Sequence, residues 1–151
     1  MQAMLPDRIF LLLITLLCIT TVFAFSGHPV DSDKWTDEYD RHFRKYSKRY
    51  FGPLFDWHWF KAQAIAESNL NADAVSHVGA RGLMQIMPDT FKEITDKNPH
   101  FAEVDQPRWN IAAGIYYDRL LYRKFPTTPE QDRLYLALAS YNAGYGRILN
   151  A

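Results

Sequence analysis

From Lys34 onward apolar side chains recur three or four residues apart, and proline or glycine interrupts that rhythm at intervals. A chain written this way builds helices and leaves no room for a sheet. Residues 34–51, KWTDEYDRHFRKYSKRYF, predict a first helix with Trp35, Tyr39, Phe43, Tyr46 and Tyr50 on one side, stopped by Gly52-Pro53. Asp56 is then expected to cap WHWFKAQAIAES, in which Trp57, Phe60, Ala64 and Glu67 share one face. Pro88 opens DTFKEIT, a position where a first helical turn accepts proline. Pro107 to Asn110 open NIAAGIYYDRLLYRKF, which Pro126 closes. Thr128, with Pro129 in the first turn and Gln131 three residues on, predicts a capping box for EQDRLYLALASYNAG, ending at Gly144. No alternating strand pattern of useful length occurs. The expected fold class is all-α, in one domain, since 151 residues suffice for a real core.

The first 26 residues differ in kind. Arg8 and the amino terminus precede a charge-free run, IFLLLITLLCITTVFAF, from Ile9 to Phe25. A basic start, an apolar centre and small residues at the end form a secretory signal, with cleavage expected after Ala24 or Ser26. The alternative is an uncleaved N-terminal membrane anchor, for which the run is at the short end of the roughly 17–25 residues that span a bilayer. Leu17 before Cys18 and the apolar sequence beyond it argue against a lipoprotein signal. Either reading exports the rest of the chain, to the periplasm or cell envelope. Cys18 is the only cysteine, so the exported part has neither disulfide nor thiol chemistry. Gly27 to Asp33 reads as a polar linker, so residues 27–56 hold linker and first helix.

Lys plus Arg equals Asp plus Glu, which gives no electrostatic pull toward nucleic acid. The five histidines show no metal-ligand spacing, and DSDKWTDEYD lacks the turn glycine and terminal glutamate of a calcium loop. No metal and no cofactor are expected.

What needs explaining is Glu67. It stands at the apolar end of the second predicted helix, with Gln63, Ala64, Leu70 and Asn71 at helical neighbour positions and no Lys or Arg among them. Desolvation without a cation raises a carboxyl pKa, and a general acid working near neutral pH needs a raised pKa. A polar loop follows, then GARGLMQIMP, in which Gly79 and Gly82 permit a tight turn or close approach to a ligand. Gln85, between Met84 and Ile86, is either a satisfied core amide or a hydrogen-bonding group for a neutral polar ligand such as a sugar. In ALASYNAGYG, Tyr141 and Asn142 lie at a helix end before Gly144. They are placed either to bind a carboxyl group and a ligand amide, or simply to pack and cap.

The run ES…A-x-S-x-x-G-A-x-G-L-M-Q-I-M-P-x-T closely resembles the catalytic domain of the SLT-type lytic transglycosylases, bacterial enzymes that cleave the glycan of peptidoglycan on a lysozyme-like α fold. N-I-x-x-G-x-x-Y recurs as Asn110, Ile111, Gly114 and Tyr117, and A-S-Y-N-A-G-x-G as Ala139 to Gly146, in the family's order. Five of the seven glycines fall within these motifs, which argues against chance. The resemblance runs from Trp57 to Ala151 and stops short of the helix that usually follows in the family, so a C-terminally truncated domain is expected.

Carried over by position, the resemblance makes Glu67 the catalytic acid and base. It puts Ser76 near the reacting sugar, lines a glycan groove with Gln85 and Met87, sets Tyr141 by the catalytic carboxyl and makes Asn142 its substrate-binding neighbour. Gly79, Gly82 and Gly144 would shape the groove. The implied partner is the peptidoglycan glycan strand, cut between MurNAc and GlcNAc with 1,6-anhydro-MurNAc ends. The expected protein is a monomer that touches membrane only through an uncleaved N-terminal segment. Two alternatives share the fold: a hydrolytic, goose-type muramidase, and a catalytically weak peptidoglycan-binding module.

Overall fold

The computed structural model describes residues 34–150. The predicted signal or anchor, the linker Gly27–Asp33 and Ala151 lie outside the described residues. Among the described residues six helices follow in order: α1 Asp40–Phe51, α2 His58–Ser68, α3 Pro88–Lys97, α4 Pro107–Tyr122, α5 Glu130–Ala143 and a short α6 Tyr145–Leu149. The same residues form no strand, only two isolated bridges, Val75 with Arg81 and Arg81 with Ile86. None of these helices is long and apolar enough to cross a membrane.

The helix α4 is the spine. Its buried residues run from Asn110 through Ile115 and on to Asp118, Leu121 and Tyr122, so it is covered on several sides. α1 packs on it with Phe43 and Tyr46, and α5 with Leu134 and Ala137. The loop between α2 and α3 presses Leu83 and Met84 inward, both fully buried. Met84 lies over Gly114, where a Cβ would come within 2.8 Å of its side chain, so only glycine lets loop and helix meet.

The boundaries depart from the sequence reading in four places, each for a local reason. The first helix begins at Asp40 rather than Lys34, because Thr36 Oγ1 accepts the Glu38 amide and diverts the backbone into a turn. Trp35 and Tyr39 still pack on the core from outside the helix. The long helix stops at Tyr122, short of Pro126, since the residue before a proline is pushed away from helical geometry and the chain leaves by turns. The capping box at Thr128 does not form. Pro129 holds the cap position without a side-chain bond, the Thr128 carbonyl accepts from Arg133 Nη2 at 2.9 Å, and Gln131 Nε2 donates to the Tyr135 hydroxyl. Asp56 precedes the cap residue Trp57, and its Oδ1 accepts the His58 amide at 3.0 Å.

Candidate active site

Glu67 occupies the last turn of α2, half-buried. Behind it on the same helix Phe60 and Ala64 are completely buried, which fixes the direction the face takes. The helix ends sharply. Asn69 caps it in the left-handed conformation, and Leu70 also has a positive φ of 58°, uncommon for a bulky side chain. Ser68 Oγ lies within reach of the carbonyls of Ala64, at 3.1 Å, and of Leu83, at 2.9 Å, tying the last turn to the following loop.

That loop is stitched to itself. The Ser76 amide donates to the Ala80 carbonyl and Gly82 to Ala74, while Arg81 and Ile86 exchange both backbone bonds. Ser76 Oγ accepts the Ala80 amide at 2.9 Å, so its hydroxyl closes the turn at Gly79. Gln85 adopts φ 45° and donates its amide to the carbonyls of Ala74 and Gly82. Asn110, nearly inaccessible on α4, is the hub beneath. It accepts the Met84 amide at 2.7 Å and donates to the carbonyls of Arg81 and Val104. Gly82 faces this side chain: a Cβ there would fall 2.4 Å from Asn110 Nδ2. Gly79 and Gly144 have open space around them and positive φ instead, so backbone conformation is what calls for glycine there.

No hydrogen bond or ion pair reaches the Glu67 carboxyl among the described residues, and burial alone raises its pKa. Tyr141 stands close enough to feel its charge. Its hydroxyl, however, donates to the Met84 carbonyl at 2.7 Å rather than to a carboxyl group. Burial above all pushes the Tyr141 hydroxyl well above its ordinary range, so it stays a donor. The rings of Tyr117 and Tyr141 meet edge to face at 5.4 Å. Together with Gln85, Ile86, Met87 and Thr90 they line a small cavity of about 90 Å³. Asn142 is exposed and lines none of it. Two larger hollows, of about 470 and 400 Å³, lie elsewhere and include none of these residues.

The sequence reading names Gln63 only as a helical neighbour of Glu67 and passes over Asp118. Asp118 is fully buried on α4, held at 3.4 Å by Gln63 Nε2, and burial drives its carboxyl pKa well up, against the pull of the Gln63 hydrogen bond. A signal was available: position 118 is three residues after Ile115 and three before Leu121, on the buried side of the helix. Among the described residues no three His, Cys, Asp or Glu side chains gather as a metal-ligand set.

The family model of the transglycosylase SLT domain matches residues 44–151. The chain belongs to the transglycosylase SLT domain family. This SLT domain is 39% identical over 109 residues to the membrane-bound lytic murein transglycosylase F of Yersinia enterocolitica, a stretch of 67% of this chain and 21% of that protein. With the protein of the same name from Shewanella woodyi it shares 34% over 125 residues, 81% of this chain and 25% of the relative. The chain thus spans between a fifth and a quarter of the length of these relatives. Among solved structures it is similar to the 70 kDa soluble lytic transglycosylase SLT70 of Escherichia coli, at TM-score 0.62 and 29% identity, over 74% of this chain and 18% of that one. An inactive mutant of the lytic transglycosylase Slt of Pseudomonas aeruginosa gives TM-score 0.64 and 30% identity, over 74% and 18%. The all-α, lysozyme-like fold class follows from the helices seen here and from these neighbours.

Proposed function

We propose that this SLT domain cleaves the β-1,4 bond between MurNAc and GlcNAc of peptidoglycan without consuming water. The observation that carries the reading is Glu67: a half-buried carboxyl with no cation and no donor, whose pKa burial raises, so that it holds its proton longer than an exposed glutamate. In the proposed sequence Glu67 gives its proton to the bridging oxygen as the C1–O bond of MurNAc breaks. The oxocarbenium-like centre, helped by the MurNAc N-acetyl group, is then attacked by the C6 hydroxyl of the same sugar. Glu67 takes the hydroxyl proton back, and the new C1–O6 bond closes a 1,6-anhydro ring. Proximity favours this, since well-oriented groups reach effective molarities of about 10⁵ M or more.

A conventional glycosidase needs a second carboxylate facing the sugar. Asp118, the carboxyl that feels the Glu67 charge, is fully buried and cannot hold a water against substrate, which favours the non-hydrolytic route over the muramidase. The other residues take supporting parts. Tyr141 holds the Met84 carbonyl and so the loop beside Glu67; Gln85 and Met87 contact the glycan; Ser76 and Asn142 bind substrate at the edges; Gly79, Gly82 and Gly144 set the backbone. The protein works as a monomer in the cell envelope, on the periplasmic side, brought there by its N-terminal signal or anchor.

Digestion of purified sacculi in ¹⁸O-labelled water, followed by mass spectrometry of the muropeptides, tests this. Anhydro ends, one water lighter and unlabelled, are expected. Reducing MurNAc ends carrying ¹⁸O as the major product would replace the reading with the muramidase, and absence of new ends would leave a binding module.

A further inference from the structure

Among the described residues Asp118 is the buried acid that the proposed mechanism leaves idle, and its hydrogen bonding does not balance as an ionised group. Its Oδ2 has no partner, and neither has Oε1 of Gln63, the residue that touches it. The single contact between them is a long one, Gln63 Nε2 to Asp118 Oδ1 at 3.4 Å. Two buried, unpartnered acceptor atoms on touching side chains call for a proton. A proton on Asp118 Oδ2 makes it a donor while Oδ1 keeps the Gln63 amide, and the free acceptor on the side chain that touches it is Gln63 Oε1. One proton can then serve both orphans, whereas an ionised Asp118 leaves two buried acceptors without a donor.

The surroundings agree. From α2 the groups facing Asp118 are Gln63 and Glu67, and from α5 Tyr141; Tyr117 precedes it on α4. Among the described residues no lysine or arginine is ion-paired with it. Arg119, its neighbour in sequence, stacks on Phe51 and Tyr122, and Arg49 of α1 sits over Tyr50. Burial acts to keep the proton in place and outweighs the hydrogen bond that Gln63 offers the ionised form. Gln63 lies one helical turn before Glu67 on α2, so whatever fixes Gln63 against α4 also fixes the turn that carries the acid.

We propose that Asp118 carries a proton in the folded protein and, by donating it to the side-chain oxygen of Gln63, acts as a positioning residue for Glu67. This rests on the transglycosylase reading for its consequence, but not for the proton itself. The proton is tested first, without activity, by following the carboxyl ¹³C resonance of Asp118 in the whole chain from pH 4 to 8. A signal that keeps its protonated shift to neutral pH is expected; one that ionises with the exposed aspartates overturns the proposal. In the same range the melting temperature of Asp118→Asn should rise relative to wild type as pH increases. The unfolded wild-type chain ionises Asp118 above its ordinary pKa while the folded one does not, a loss of stability that asparagine escapes.

Kinetics on sacculi then test the positioning. An asparagine side chain still offers a donor, so Asp118→Asn should keep kcat within about threefold of wild type, whereas Asp118→Ala should cut kcat by roughly 10-fold or more with KM little changed. Gln63→Ala should cost as much as Asp118→Ala, and the pair together no more than either alone. If Asp118→Ala does not fold, Gln63→Ala supplies the same kcat measurement. Folded Asp118→Ala and Gln63→Ala proteins with wild-type kcat would overturn the positioning role, and inactive Asp118→Asn would show instead a carboxylate needed in ionised form. A wild-type protein that makes no anhydro ends but shows a protonated Asp118 would sink the functional reading and leave the proton assignment standing.

Discussion

Two acidic sites along α2 face opposite demands. Near its start, Lys61 reaches across to Asp40 of α1 at 2.6 Å, with side chains only 14% and 19% exposed. In its last turn Glu67 has no partner at all among the described residues. The first arrangement ties two helices together through an ion pair. The second has nothing to hold the charge, so desolvation decides and the proton is retained longer. Within one helix, then, pairing marks where the chain is being held and its absence marks where chemistry is available.

Four perturbations break or sharpen this contrast, in falling order of effect. Glu67→Gln should remove glycan cleavage by roughly 10² or more in rate, since the amide keeps the shape and cannot donate the proton. Its fold should survive, as a circular dichroism melt will show. Gly82→Ala should destabilise the protein by about 1–3 kcal/mol through overpacking, because the new methyl meets Asn110 and the backbone has φ 72°. Denaturant titration reads that loss, and activity should fall with it, since Asn110 holds the loop beside Glu67. Lys61→Met should cost about 1–3 kcal/mol by leaving Asp40 partly buried and unpaired, while the pH dependence of cleavage stays as in wild type. Tyr141→Phe removes one hydroxyl bonded to the Met84 carbonyl, worth about 0.5–1.5 kcal/mol to folding. Cleavage should slow more than that figure implies, because the loop is freed next to the acid. A drop in melting temperature with unchanged specific activity would make Tyr141 structural only.

The contrast was half legible in the sequence. Helical spacing of three and four, read with Pro88, Pro107 and Gly144, located the helices, because burial imposes that period on any chain with one apolar face. The isolation of Glu67 could also be read, since helical neighbours i±3 and i±4 are fixed by geometry. What escaped was set by hydrogen bonds across long separations. Nothing local announces that Asn110 serves Met84, Arg81 and Val104, or that Tyr141 is spent on a carbonyl 57 residues earlier. Gly82 illustrates the limit well. Its glycine was readable as a close approach, yet the approaching atom is Asn110 and not a ligand. The failed capping box is the opposite lesson, a good local motif displaced by one residue at Pro129.

The central claim is that Glu67 holds its proton because it is desolvated and unpaired. Titration of its side-chain carboxyl carbon by ¹³C NMR, in wild type and in Lys61→Met, measures this directly. The midpoint should lie above the ordinary 4.5 and be the same in both proteins. Because the folded state then holds the proton longer than the unfolded chain, Glu67 subtracts stability as pH rises past 4.5, and Glu67→Gln should melt progressively higher than wild type over that span. A midpoint at or below 4.5, with no such gain in the glutamine variant, would contradict the account.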